Sequence, residues 1–358
     1  MTNLFDEFLD EVVQNLYSLF GPWSEHMEQT TWTLEPPTSL LKARTRNGSM
    51  TIRGGDHDRV TVVASTTVRG PTEGLAEAFA ERIHPYVTQV REAAYVQTVY
   101  PAPPLATAVF VHYEIQVPRS IDVDAYAQSG GIFISGVEGA VEAETWSGNI
   151  RVEDGLGPVK LHASNGTIRG VDLEGTLDAE SGNGAVELQR VIGPARLRTT
   201  RGDITILESE GVVRAKSHSG DIRLEGGRGG AELESVRGDI WASMVRLDSP
   251  SEVRTQSGRI HCAAREIQAS LSVESVKGTV EVFVPAEFDG WLSADSERGV
   301  IRCELPVVEE PTPTHNLRGR LGHGGDIALD IATVEGDVRI GFFDEPGPES
   351  PGEGDFSR

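Results

Sequence analysis

Basic charge is scarce in this chain. Its 358 residues carry 32 Lys and Arg against 55 Asp and Glu, a formal net charge of −23 at pH 7. Binding a nucleic-acid backbone calls for a basic surface, so that class of partner is argued against. Attachment to anionic lipid through bulk charge is disfavoured for the same reason. No continuous run of eighteen apolar residues occurs, so no transmembrane segment is expected. No signal peptide is expected either. No Lys or Arg precedes Lys42, and the early apolar residues are periodic, not one block. The expected location is cytoplasmic or peripheral to the bacterial envelope.

Cysteine is nearly missing, with Cys262 and Cys303 the two present. That excludes a disulfide framework. Each sits four residues after a repeat glycine, Gly258 and Gly299. Both are expected as buried free thiols in one inward column, ~10 Å apart at ~4.8 Å per coil and too far apart to bridge. The nine histidines are scattered without zinc-site spacing. No Ser-His-Asp arrangement, phosphate loop or dinucleotide fingerprint is found. No cofactor is expected.

What the chain has in quantity is glycine, at a fixed period. Glycine stands at 130, 139, 148, 157, 166, 175, 184, 193, 202, 211, 220, 229 and 238, every ninth residue. Consecutive nines read differently, so the unit is eighteen residues. Ser147-Gly148-Asn149-Ile150-Arg151-Val152 typifies the first half, and Gly157-Pro158-Val159-Lys160-Leu161-His162-Ala163 the second. In each half two apolar residues alternate with polar ones, as in Ile150/Val152 and Val159/Leu161, which is the pattern of half-buried strands. Two strands per unit with no helix between them imply one chain winding into stacked coils. The expected fold is all-β: a single-stranded parallel β-helix solenoid, right-handed by analogy with parallel crossovers. A left-handed hexapeptide helix would step by six, and here the step is nine. A column of small, often hydroxylic residues (Thr145, Ala163, Ser181, Thr199, Ser217, Ser235) is expected to stack at one corner.

Flanking pieces complete the plan. Phe5, Leu9, Val12, Leu16 and Leu19 mark an amphipathic helix over 3–20, stopped at Gly21-Pro22. It is expected to cover a solenoid end or to self-associate. Its polar face bears Asp6, Glu7, Asp10 and Glu11, so a membrane surface ranks last. Residues 30–124 read as β-structure beginning the solenoid, with one short inserted helix over 73–84. Val60-Thr61-Val62-Val63-Ala64 is read as continuing the repeat grammar. The regular solenoid is expected over 125–342, interrupted by a loop from Pro306 to about Gly322. A disordered acidic tail is expected over 343–358.

The grammar resembles that of a bacterial adhesin-like family of single-stranded β-helix domains of unknown function. The resemblance covers about residues 30–342. It rests on Asn47-Gly48-Ser49-Met50-Thr51-Ile52, Asp58-Arg59-Val60-Thr61-Val62, Tyr113-Glu114-Ile115-Gln116-Val117-Pro118, the Ser-Gly-Asx-Ile repeats, and Thr333-Val334-Glu335-Gly336-Asp337-Val338-Arg339-Ile340. It implies a scaffold or interaction role and supplies no catalytic residues. The expected function is a non-enzymatic scaffold presenting its faces to a protein or glycan. The alternative is a carbohydrate-active β-helix enzyme.

Two residue groups are candidate sites. Asp203, Asp221 and Asp239 each follow a repeat glycine and should stack. Such a row suits Ca²⁺ or an acid and nucleophile pair; more simply, Asp fits a turn by bonding the backbone. Arg201-Gly202-Asp203 and Arg237-Gly238-Asp239 match a cell-adhesion tripeptide, but the repeat itself dictates Gly-Asp there. The second group is Arg196, Arg198, Arg214 and Lys216, four cations in outward columns where charge otherwise mostly alternates between coils. They are a candidate anion or partner site, unless flanking acids neutralise them.

Overall fold

The computed structural model describes residues 23–102, 107–309 and 315–343. The amphipathic helix expected over 3–20 lies outside them, as does the acidic tail apart from its first residue. Two compact units divide the chain, Met1–Thr205 and Ile206–Arg358. Among the described residues regular structure is β-strand apart from one α-helix, Glu73–Ala80.

In the first unit two parallel stacks face each other. Asp122–Ser129, Val141–Ser147, Val159–Asn165, Leu177–Asn183 and Ala195–Arg201 form one. Ile132–Ser135, Ile150–Gly155, Ile168–Glu174 and Val186–Ile192 form the other. Each step up a stack is one repeat, so Ile150 pairs with Ile132 and Ile168, and Ile168 with Val186. Parallel strands cannot be joined by a tight hairpin, and the strand in the facing sheet serves as the crossover. Ile132, Ile150, Ile168 and Val186 are at most 2 % exposed, as is the facing file Ala125, Ala143, Leu161, Ala179 and Leu197. Fully burying one Ile or Leu contributes about 1.5–3 kcal/mol. The solenoid therefore repeats a small core that no single coil could close.

The corner between the stacks explains the glycine. At Gly166 φ is 153°, and a Cβ would lie 1.9 Å from the carbonyl oxygen of Gly148 one coil away. The hydroxyl column forms the expected ladder beside it. Thr145 Oγ1 donates to the Gly130 carbonyl at 3.1 Å, Ser181 Oγ to Gly166 at 3.0 Å, and Thr199 Oγ1 to Gly184 at 3.2 Å. In the second unit Ser235 and Thr255 repeat the bond to Gly220 and Gly238.

The N-terminal end departs from the repeat. Leu40–Asn47 and Met50–Gly55 stack directly on Asp122–Ser129 and Ile132–Ser135, so residues 56–121 leave the coil and return. Ser24–Leu34 pairs antiparallel with Val60–Gly70, which pairs antiparallel with Ala108–Pro118. The reading of Val60–Ala64 as further repeat is corrected here. Its strand runs antiparallel to both neighbours, whereas a coil strand pairs in parallel with its equivalent one repeat away. The helix lies on this antiparallel layer with Ala76, Phe79 and Ala80 buried, and Thr72 Oγ1 accepts from the Leu75 amide at its start. The hairpin His84–Val90 and Ala93–Val99 extends the other sheet beyond Leu40–Asn47.

In the second unit the C-terminal coils stack out of chain order. Ala328–Glu335 inserts between Leu271–Lys277 and Gly290–Ser296, and Val338–Phe342 between Val280–Val284 and Ile301–Cys303. The expected loop from Pro306 to Gly322 contains two strands: Asn316–Leu321 pairs antiparallel with Gly290–Ser296, and Val308–Glu309 pairs antiparallel with Asn316–Leu321. This insertion moves the cysteines apart. Cys262 pairs with Val282, Val282 with Ile340, and Ile340 with Cys303. Three strand steps separate them, ~14 Å at ~4.8 Å each, and both are free. Cys262 is buried, which pushes its thiol up to about 12. Cys303 is partly exposed, contrary to the expectation that both would be buried.

Candidate binding surfaces

Two of the three aspartates in the row, Asp221 and Asp239, bond the backbone of the next coil. Asp221 Oδ1 accepts from the Asp239 amide at 2.7 Å, and Asp239 Oδ1 from the Arg259 amide at 2.7 Å. The second oxygen of Asp239 takes the Arg259 guanidinium at 2.8 Å. The same bond recurs where calcium was never in question: Asp122 Oδ1 accepts from Ala140, and Asn149 Oδ1 from Thr167. Asn149 is neutral, so the position selects a side-chain acceptor and not a charge. Among the described residues no group of three or more His, Cys, Asp or Glu is arranged to hold a metal ion. Arg237 donates to Ser219 Oγ at 2.9 Å, so all three residues of Arg237-Gly238-Asp239 serve the corner.

The four candidate cations fall on two units, Arg196 and Arg198 in the first, Arg214 and Lys216 in the second. Within its own unit each has an acid opposite. Arg196 pairs in register with Asp178 and Arg198 with Glu180. Arg214 bonds Glu232 at 2.9 Å, and Lys216 bonds Glu234 at 2.9 Å. Such exposed pairs contribute little to stability, but they answer the charge the sequence left open.

Two surfaces of the second unit were not singled out from the sequence. The first is a ladder of rings. Trp241 and His261 pair in register on neighbouring coils and stack with centroids 3.7 Å apart. Phe283 on the next coil lies 5.1 Å from His261, and the Arg339 guanidinium sits 5.8 Å from the Phe283 ring centre. His261 Nδ1 lies 3.2 Å from Glu281, yet burial dominates and pulls the imidazole pKa below its ordinary value.

The second surface is a groove of about 700 Å³ on the outer face of Gly290–Ser296 and the strands beside it. Leu292 and Ala294 point inward and are buried, so alternation turns Trp291 and Ser293 outward. Trp291 is 52 % exposed. Arg320 is its register partner and holds its guanidinium 5.9 Å from the ring centre. One row along, Asp330, Ser293 and Arg318 lie side by side on adjacent strands. Arg318 reaches Asp295 at 3.7 Å. Arg320 has no carboxylate partner among the described residues. Val308, 62 % exposed, closes the groove on the far side. The groove thus combines one apolar ring face, donors and an acceptor. A motif search misses it, but Trp291 between inward-pointing neighbours is the signal that finds it.

The fold and these faces define a β-solenoid repeat protein with polar outer sheets. Residues 114–341 match the family described as Toastrack DUF4097, and the chain belongs to that family. Similar solved structures include an adhesin-like protein of Bacteroides fragilis, 13 % identical, with 88 % of this chain and 97 % of that one covered and a TM-score of 0.27. An adhesin-like protein of Parabacteroides merdae is 12 % identical, with 87 % and 96 % covered and a TM-score of 0.27. A Clostridium sporogenes protein named for cell adhesion is 8 % identical, with 89 % and 100 % covered and a TM-score of 0.19. At these values none of them bears on what this chain binds. No curated protein matches the chain. No helix among the described residues is long and apolar enough to cross a membrane.

Proposed function

We propose that this chain is a non-enzymatic scaffold that holds a glycan or protein partner on its outer strand faces. The observation that carries the reading is the groove around Trp291, where an exposed ring lies beside an Arg with no carboxylate partner among the described residues. A solvated tryptophan face on a rigid sheet is a ready contact surface. The enzyme alternative would need carboxylates free to transfer protons. Asp221 and Asp239 have oxygens committed to backbone amides, and neither lines this groove.

The test is a capture experiment with the purified chain against surface glycans and envelope proteins, run beside polysaccharide cleavage assays. The scaffold reading expects saturable binding and no cleavage products. Cleavage abolished by Asp221→Asn or Asp239→Asn would replace it with the enzyme. Repeating the capture and a sizing measurement with residues 1–22 deleted separates partner binding by the solenoid from self-association through residues 3–20.

A further inference from the structure

Resting on the scaffold reading, we propose that the groove around Trp291 binds a saccharide bearing a carboxylate, a hexuronic acid unit. Size limits the partner. A stable protein–protein contact buries about 800 Å² per partner, whereas the groove spans a few residues on Gly290–Ser296 and the strands flanking it. Its scale suits a small ring, not a folded surface.

Chemistry narrows the class. Trp291 offers one flat apolar face, half exposed and held by a strand whose neighbouring residues Leu292 and Ala294 are buried. A sugar ring has an apolar C–H face that stacks on an indole and a rim of hydroxyls that does not. The rim needs both donors and acceptors. Asp330 supplies an acceptor, Ser293 either role, and Arg318 donors, all on one row across adjacent strands. At ~4.8 Å per strand, Asp330 and Arg318 stand ~10 Å apart, wide enough to bracket a ring.

Charge selects the acid. Asp295 already holds Arg318 at 3.7 Å. Arg320 holds no carboxylate among the described residues and lies beside the Trp291 ring. A guanidinium pairs a planar carboxylate through two parallel hydrogen bonds. A carboxylate at the edge of a stacked ring would meet Arg320, with its hydroxyls directed toward Ser293 and Asp330. The net charge of −23 works against long polyanions at a distance. Screening at physiological salt confines that repulsion to about 8 Å, which leaves short-range recognition to the groove.

The experiment is calorimetric titration of the full chain with short oligogalacturonate and with the same oligosaccharide after carboxyl reduction. The expected result is saturable binding of the acid form, weakened at least tenfold by reduction, by Trp291→Ala and by Arg320→Gln. Trp291→Phe keeps part of the affinity, and Arg214→Gln with Lys216→Gln leaves it unchanged. Thermal melts confirm that each variant folds. Equal affinity for the reduced sugar overturns the acid assignment. Binding that survives Trp291→Ala overturns the site while leaving the scaffold reading intact. No binding of either sugar by the intact chain overturns the proposal, and the capture experiment then decides the scaffold reading by itself.

Discussion

Trp241 lies flat on His261, with ring centroids 3.7 Å apart and planes 8° from parallel. The pair exists because the solenoid stacks equivalent residues of successive coils at strand spacing, within reach of ring stacking. A ring that prefers to stay neutral in that stack gives the protein a pH dependence.

Burial lowers the pKa of His261 below its ordinary value, while Glu281 pulls the other way and loses. The sign follows by linkage. Well above the ordinary His value both folded and unfolded chains are neutral there, and stability is unaffected. As pH falls below about 6.5, the unfolded chain takes the proton first and stability declines. The decline from this group stops once pH passes the lower folded value. Urea denaturation at stepped pH is expected to show this loss, and His261→Phe to remove that part of the slope. An NMR titration midpoint for His261 at or above the ordinary value would contradict the stack.

The hydroxyl ladder makes a graded prediction. Ser181 is 1 % exposed, and its bond to the Gly166 carbonyl is 3.0 Å long. Ser181→Ala is expected to cost about 1 kcal/mol, the net worth of one buried hydrogen bond. The cost should sit at the low end, because Ala163 occupies the same column naturally and the sheet tolerates it. Equilibrium denaturation measures it, and a loss above about 3 kcal/mol would mean the hydroxyl does more than pin the corner.

Where the sequence was readable, it was so because one physical rule repeated. Apolar alternation and glycine at a fixed period put Ile150 and Ile168 in one file without reference to any distant contact. The ends obey no such rule. Val60–Gly70 pairs antiparallel with Ser24–Leu34 and Ala108–Pro118, partners far along the chain that no local pattern names. The insertion of Val338–Phe342 between Val280–Val284 and Ile301–Cys303 was hidden for the opposite reason. Each of these strands follows a similar Gly-x-hydrophobic start, so the grammar could not order them. Charge columns were legible, and their neutralisation by Glu232 and Glu234 was legible in part. A single tryptophan in a strand has no period, so the repeat grammar does not single out Trp291.

The corner aspartates predict a neutral substitution. Asn at 239 keeps the oxygen that accepts from the Arg259 amide and loses only an exposed ion pair, with Arg259 78 % exposed. Asp239→Asn is therefore expected to change stability by less than about 0.5 kcal/mol, and Asp239→Ala to cost about 1 kcal/mol. Millimolar Ca²⁺ should leave the melting temperature unchanged in all three proteins. A rise with Ca²⁺ that Asp239→Asn abolishes would restore the cation site.

Two corners of the repeat predict unequal responses to exchanging glycine and a side chain. At Gly166 a methyl group would meet the Gly148 carbonyl oxygen at 1.9 Å, with φ at 153°. The obstacle is backbone of the neighbouring coil, which cannot swing aside as a side chain would. Gly166→Ala is expected to cost on the order of 3–5 kcal/mol and to show as a large fall in urea midpoint. The other corner repeats the left-handed conformation without needing glycine. Gly136, Asp154, Asp172 and Arg190 follow at repeat spacing with φ of 69°, 54°, 55° and 53°. Asp172 and Arg190 recover part of the strain by pairing through two hydrogen bonds, which also hold the Asp172 carboxyl below the usual carboxylate range. Asp154 is exposed, so Asp154→Gly removes about 1–2 kcal/mol of left-handed strain and adds a similar entropy to the unfolded chain. Its stability is expected to stay within about 1 kcal/mol of the parent, on either side. Equal, large losses at both positions would mean that the two corners are held by the same contact, which their φ values and neighbours contradict.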